Sequence, residues 1–325
     1  MAEILQGKSL FPAGMIVLLI LALIPLFRPG AAVFNVLILA NLTALLVAAW
    51  DFMAGYSGQV SAGHALGFGA GAYTLAVATT VAGVTPWMAL PLATGVGAAI
   101  MALAGTVCVR ITGPYFILAT LALAEIAHEV ALSWGMKLPG GYLIGGEGGI
   151  PIRPLFPATL PYYYELNFYL SLFLMLAGVI LLVRIGQSRL GLKLRAVGDD
   201  VQSADSIGLD PFRYRWAAFS ISGGLATAAG AFQGQYLHLA TPSTLSVELS
   251  FAVMAMAVIG GRGTILGAAT GAYLLTVLFN LIWAPPVWRM VIYSLLLLLV
   301  ARFFPQGVLA GIKVRQDEQP VPAGD

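Results

Sequence analysis

The sequence predicts an all-α, polytopic transmembrane helical bundle of about 8–10 membrane segments with broken or re-entrant helices. Composition is the first ground: hydrophobic residues make up 59% of the 325 residues, charged residues 9%, and the mean hydropathy is +0.91. Soluble domains carry charges nearer a quarter. The second ground is length, because runs of about 17 or more residues nearly free of charge recur along the chain. In hydrocarbon such runs must be helical, since every backbone polar group needs a partner inside its own segment.

Gly, Pro and charged residues bound these runs at 12–27, 31–50, 56–81, 86–109, 114–134, 167–184, 215–238, 246–260, 263–283 and 287–304. The first follows Lys8 and ends in Arg28-Pro29-Gly30, a turn rather than a small-residue cleavage site, so it is read as a span and not a signal peptide. Asp51 to Gly71 is crowded with glycine and polar residues, and 246–260 is short for a full crossing; both are expected to be broken or re-entrant. The span at 114 opens with Thr112-Gly113-Pro114-Tyr115-Phe116, which suits either a helix break at a cavity or an ordinary proline start.

With ten crossings and Lys8 inside, only Arg28, Lys137, Arg153 and Arg289 of the 16 Lys and Arg fall outside. That asymmetry is what the positive-inside rule expects. The chain then reads as a single transmembrane domain over 1–325, with an outward loop at 135–166, a cytoplasmic loop at 185–214 and a cytoplasmic tail at 306–325. The outward loop holds Gly145-Gly146-Glu147-Gly148-Gly149, either a shaped receptor-facing surface or a plain flexible turn.

Gly63, Gly67 and Gly71 precede Ala72-Tyr73, and Gly263, Gly267 and Gly271 precede Ala272-Tyr273 in the same spacing. Glycines four apart line one helix face and allow close helix packing. The recurrence fits two independent tight contacts or an internal duplication, parallel or inverted.

Several chemistries are excluded. Cys108 is the only cysteine, so no internal disulfide or cysteine metal site is available. Gly7-Lys8-Ser9 lacks the upstream glycine, strand and helix of a phosphate-binding loop. His64, His128 and His238 sit on different segments without a metalloprotease or serine-hydrolase pattern, so no catalytic or metal residues are assigned. No feature supports nucleic-acid binding. Asp51, His64, Glu125, His128, Glu129 and Glu248 are the ionisable groups at membrane depth, where such groups face a cavity or a partner. Glu125, His128 and Glu129 share one helix face, as a hydrated helix end, an interhelical cluster or a gate. His64 serves either a structural hydrogen bond to neighbouring backbone or the solute path.

Residues 184–215 are the one sustained polar stretch. Arg184, Arg189, Lys193, Arg195, Arg213, Arg215, Asp199, Asp200, Asp205 and Asp210 concentrate a third of all charged side chains there. A charged loop between membrane spans reads as a docking surface for a cytoplasmic partner. Ala204 and Gly208, small and one helical turn apart, suit a compact helix lying in a groove.

These motifs together resemble the permease subunits of ABC importers for branched-chain amino acids, the LivM type more than LivH. GYSGQVSAGHALGFGAGAY at 55–73, GPYFILATLALAEI at 113–126, SRLGLKLRAVGDDVQSADSIGLDPFRYRWAAFSISGGLATAAGA at 188–231 and VIGGRGTILGAATGAYL at 258–274 carry the likeness over roughly 31–305. The third stretch is similar to the family's ATPase-coupling segment, with Arg189, Gly191, Arg195, Ala196, Ala204, Gly208 and Pro211 in its pattern. Its Gln202-Ser203-Ala204 departs from the familiar Glu-Ala-Ala, and Gly-Gly-Glu-Gly-Gly from Gly-Gly-x-Asp-Gly.

The resemblance implies a multi-pass protein of the bacterial inner membrane with both termini cytoplasmic. It would pair with a LivH-like second permease, dock two ABC ATPase subunits and take substrate from a periplasmic binding protein. ATP and Mg would sit on the ATPases, with no cofactor bound by this chain. His64, Gly113, Tyr115, Phe116, Glu125 and Glu248 would lie near the path. The substrate expected is a branched-chain or other hydrophobic amino acid; relatives that take urea, short amides or aromatic acids give an alternative. An ion-coupled secondary transporter is the rival, weakened by the compact pattern at 188–211.

Overall fold

The computed structural model describes residues 30–137 and 143–281, with the single positions 291, 292, 295 and 302. The expected span at 12–27, most of that at 287–304 and the tail at 306–325 lie outside the described residues.

Helix α1 (Ala31–Ser57) has 27 residues, about 40 Å at 1.5 Å per residue. It is buried along most of its length, with Leu42, Leu45, Trp50 and Phe52 among the fully enclosed side chains. It ends where Gly58 adopts φ +70°, a left-handed C-terminal stop. The expected span stopped at residue 50, but the helix runs about two turns further, to Ser57, and buries the Asp51 carboxylate.

The expected span 56–81 is broken. Residues 58–63 leave α1 without helical structure, and α2 (His64–Ala76) then restarts and continues into a π-helical turn, Val77–Val81. The break is pinned by Trp50, whose indole N–H donates to Ser61 O at 2.6 Å, and by Gln59, whose amide donates to Ile111 O at 3.3 Å. Helices α3 (Pro86–Cys108) and α4 (Pro114–Ser133) both begin with proline, whose missing N–H costs nothing in a first turn.

After α4 come β1 (Gly135–Lys137) and β2 (Leu143–Gly145), antiparallel with Met136 opposite Ile144, and a 3₁₀ turn at Gly146–Gly148. Strand β3 (Ile150–Pro151) leads towards α5 (Tyr163–Gln187), which starts four residues before the expected span. Two short helices follow, α6 (Arg189–Asp199) and α7 (Val201–Ser206). The long α8 (Pro211–Leu237) ends at β4 (Leu239–Ala240), which pairs with β3. A 3₁₀ turn at Pro242–Leu245 precedes α9 (Val247–Gly260) and α10 (Ile265–Leu281). Because α5 separates them, the strand-bearing loops and the α6–α7 segment lie at opposite ends of the bundle.

Among the described residues, α1, α3, α4 and α5 are long and apolar enough to cross a membrane, and α9 with α10 forms a further pair bent by 115°. At 14 residues, α9 spans about 21 Å, short of a hydrocarbon core of about 30 Å. The sharp bend fits a segment expected to be broken or re-entrant. Helix α8 is long enough but fails on composition, being rich in Gly, Ala, Ser and Thr. Its neighbours are α1, α2 and α3 rather than lipid, so small residues that let backbones approach serve it better than bulky apolar ones.

Glycine sets that central packing. A Cβ on Gly71 would lie 2.1 Å from Thr227 O, and one on Gly230 1.8 Å from Phe68 O, so α2 and α8 touch backbone to backbone. Several polar side chains are paired across helices: Asn41 donates to Ser171 Oγ at 3.0 Å, Gln235 to Asn167 Oδ1 at 2.8 Å, and the Trp216 indole to Ala102 O at 2.8 Å. Pairing is what makes such groups tolerable at depth.

Candidate functional site

At the end of the bundle beyond α5, each helix of the charged segment is closed by a side chain that caps its N-terminus. Ser188 Oγ accepts from Leu190 N at 3.2 Å for α6, and Asp200 Oδ1 from Gln202 N at 2.9 Å for α7. Asp210 Oδ1 accepts from Phe212 N at 3.0 Å for α8. Two of the acids that the sequence suggests as docking charges thus hold up helix starts, where carboxylates are favoured. The Asp200 carboxyl is held below its usual range, first by the Ser203 hydroxyl and then by the backbone N–H groups of Gln202 and Ser203.

Helix α6 is amphipathic. Gly191, Leu194 and Val197 face inward, while Leu192, 64% exposed, and Lys193 face out. Arg189 is exposed, and Gly191 permits a tight turn, since a Cβ there would lie 2.2 Å from Gly186 O. The Arg195 guanidinium stacks on Tyr56 at 4.5 Å from the ring centroid and donates to its hydroxyl at 3.1 Å. Pro211 is the first residue of α8.

The structure separates Ala204 from Gly208. Ala204 is turned inward at 2% exposure, whereas Gly208 is exposed, has φ +84° and has open space where a Cβ would go. Gly208 therefore reverses the chain after α7, and the two do not form one small-residue face for a groove. The exposed apolar groups on this segment are Leu192 and Ile207, the latter at 74%.

The end of α1 is wedged between this segment and the α9–α10 bend. A Cβ on Gly198 of α6 would lie 2.7 Å from Tyr56 O, and one on Gly55 2.4 Å from Gly263 Cα. Asp51 Oδ1 accepts the Gly263 N–H at 2.7 Å. Gly263 has φ +77° and sits in the bend, not on a helix face, while Gly267 and Gly271 lie in α10 against Gly260. Gly63 likewise precedes its helix and abuts Thr120 O, whereas Gly67 and Gly71 pack on α8. The two matching glycine motifs share a break followed by a helix but pack on different partners.

The residues assigned to the path diverge. His64 is fully buried, with Nε2 and Ser222 Oγ 3.1 Å apart and its ring in an edge-to-face arrangement with Phe219. Its partner is a side chain rather than the expected backbone. Gly113, at φ +66°, turns the chain into α4. Phe116 is buried against Phe219, whereas Tyr115 points away at 72% exposure. Helix α4 buries only Phe116, Thr120, Ala124 and Ala131. Its open side carries Glu125 and His128, 3.9 Å apart, with Glu129 beside them. The donor atoms of these three lie within 4.8 Å of one another and offer metal ligands from one side only. Glu248 is exposed in the first turn of α9, where the helix dipole favours an acid.

A cavity of about 210 Å³ opens where the last turn of α8 meets α2, the 3₁₀ turn and α9, lined by Phe68, Leu237 and Leu249 with Gln233, Thr241 and Ser243. Sequence reasoning missed this cavity and the role of Tyr56. The GYSG run at 55–58 held the signal for Tyr56, flanking one aromatic with glycines that the structure uses for close contact.

Residues 32–301 match the family described as branched-chain amino acid transport system / permease component. The chain is 27% identical over 317 residues to the high-affinity branched-chain amino acid transport system permease protein LivM of Escherichia coli K12, covering 91% of this chain and 74% of that one. It is 28% identical over 281 residues to LivM of Salmonella typhimurium, covering 80% and 65%. The nucleoside ABC transporter permease protein NupC of Lactococcus lactis is 25% identical over 167 residues, covering 50% and 53%. No solved structure is a significant match.

Proposed function

From the premise that this chain belongs to the branched-chain amino acid transport permease family, we propose that it passes branched-chain or other hydrophobic amino acids delivered by a periplasmic binding protein. It is a permease subunit of an ABC importer, and hydrolysis of ATP falls to separate ATPase subunits. Its place is the inner membrane, with the α6–α7 end and both termini on the cytoplasmic side. The partners in this reading are a LivH-like second permease, two ATPases holding ATP and Mg, and the binding protein.

The observation that carries the reading is the α6–α7 segment. It is folded, capped at each helix start and anchored inward by Leu194 and Val197, yet it presents Leu192, Lys193 and Ile207 to the outside. Exposed leucine and isoleucine beside basic groups, on a segment that packs firmly on the bundle, make a surface for a folded partner. Closure of the ATPase pair on this surface shifts the permease between inward- and outward-facing states.

The open, ionisable side of α4 supports a second permease subunit, since Glu125, His128 and Glu129 facing lipid would be costly at membrane depth. Between the two subunits this face would border the solute path, with weak and largely apolar contacts. The mixed lining of the cavity beside Phe68 suits a solute with an apolar side chain and polar ends.

Purification of tagged protein from its native membrane, with mass spectrometry of what accompanies it, tests the assembly. Two ATPase chains and one further permease per complex are expected. Recovery of the chain alone, active without ATPases, would overturn the reading.

A further inference from the structure

We propose that Asp51 is a positioning residue for transport: it latches the α9–α10 bend to the same end of α1 on which the docking helix α6 bears. One rigid helix end then carries movement of α6 to the bend. The proposal rests on the reading of α6–α7 as the ATPase surface.

The input side is built for contact without slack. Gly198 and Gly58 meet backbone to backbone, a Cβ on Gly186 would lie 2.6 Å from the Tyr56 hydroxyl, and Arg195 both stacks on and donates to Tyr56. Any larger residue at these glycines would strike backbone or a fixed ring. A shift of α6 therefore has to move Tyr56 and the end of α1 with it.

The output side meets the same helix. Asp51 and Gly55 are four residues apart and share a face of α1. Gly55 lies directly against Gly263, and the Asp51 carboxylate accepts the Gly263 N–H at 2.7 Å. Gly261 at φ +117° and Gly263 at φ +77° take the chain through conformations closed to an α-helix, so the bend does not supply its own partner for that amide. Asp51 does so from 212 residues away. Its side chain is fully buried, and the Thr264 N–H and the Arg262 charge also act on its carboxylate, so three successive residues of the bend, 262 to 264, are tied to one side chain of α1. A buried carboxylate is expensive as mere packing, and one held by the bend's own residues ties that bend to the end of α1.

The test uses the complete importer reconstituted in liposomes, with ATP hydrolysis and solute uptake measured on the same sample. Asp51→Ala removes the acceptor, whereas Asp51→Asn keeps an oxygen for the Gly263 N–H. Asp51→Ala is expected to hydrolyse ATP within about twofold of the parent but to lose about tenfold or more in uptake per ATP. Asp51→Asn should stay within about threefold of the parent ratio. An unchanged ratio in Asp51→Ala, or equal loss in both variants, would overturn the latch. Should Asp51→Ala fail to assemble, Asp51→Glu carries the test. It keeps the charge but lengthens the arm, and an unchanged ratio there would also overturn the proposal. A cross-link from Leu192→Cys to the ATPase, run in parallel, separates the two readings. No cross-link removes the docking surface, while a cross-link with no effect at Asp51 removes the latch.

Discussion

Replacing Gly230 by alanine should force α8 away from α2. The new Cβ would lie 1.8 Å from Phe68 O, 2.5 Å from its carbonyl carbon and 2.8 Å from its Cα. A relaxed carbon-to-carbonyl-oxygen contact is about 3.3 Å, so the two helices must part by about 1.5 Å. The obstacle is backbone inside a helix and cannot swing aside, which places the strain near the upper end of the ~1–3 kcal/mol typical of overpacking. Alanine returns about 1 kcal/mol through helix propensity, leaving a net loss of about 2 kcal/mol. Gly95→Ala is the control, because it gains the same propensity and meets nothing within 4 Å. The assay is thermal unfolding of the purified protein in mild detergent, followed by intrinsic fluorescence and by elution as a single species. Gly230→Ala is expected to unfold roughly 3 °C below the parent, with Gly95→Ala at or above it. A Gly230→Ala protein as stable as the control would refute backbone contact between α2 and α8 as the centre of the bundle.

Three further outcomes are expected. Leu192→Asp and Ile207→Asp, each placing a charge on an exposed apolar position of the α6–α7 segment, should leave the unfolding temperature unchanged but reduce recovery of ATPase subunits about tenfold in pull-down; undiminished recovery would move the docking surface elsewhere. Glu125→Gln should alter uptake rate or selectivity about threefold or more, while Glu318→Gln in the polar C-terminal stretch should not, and equal, negligible effects in a transport assay would return Glu125 to a structural role. The Asp200 cap has a depressed pKa, so its contribution is complete above the ordinary carboxylate value of 3.8 and fades only as pH falls through the lower folded value. Amide exchange in residues 201–206, corrected for intrinsic rates, should therefore show the same protection at pH 5 and pH 8 and lose it in Asp200→Ala.

The membrane class and most segment positions were legible because lipid imposes a simple rule on composition, and α3, α4 and α5 fall close to their expected limits. The rule misled where a segment is surrounded by protein. Asp51 looked like a boundary because a carboxylate is costly in lipid, yet it is paired with an amide 212 residues away, a contact no local pattern encodes. The same spacing argument that grouped Ala204 with Gly208 assumed a continuous helix, but α7 ends at Ser206 and Gly208 takes a left-handed turn. Gly63 and Gly263 were read as helix-face residues for a similar reason, although both lie at breaks before their helices. Tyr115 and Phe116 are adjacent in sequence but lie on different faces of α4, one exposed and one buried, which follows from the 100° step of a helix. The α6–α7 segment was visible as charge; its caps and its exposed Leu192 and Ile207 emerged only from three-dimensional placement.

The most direct measurement is uptake of labelled leucine into liposomes that contain the purified complex, with binding protein outside and ATP with Mg inside. The expected result is accumulation that requires both the binding protein and hydrolysable ATP, and that stops when Leu192 and Ile207 are both replaced by aspartate. Accumulation by this chain alone, driven by a proton or sodium gradient and indifferent to ATP, would contradict an ATPase-coupled permease.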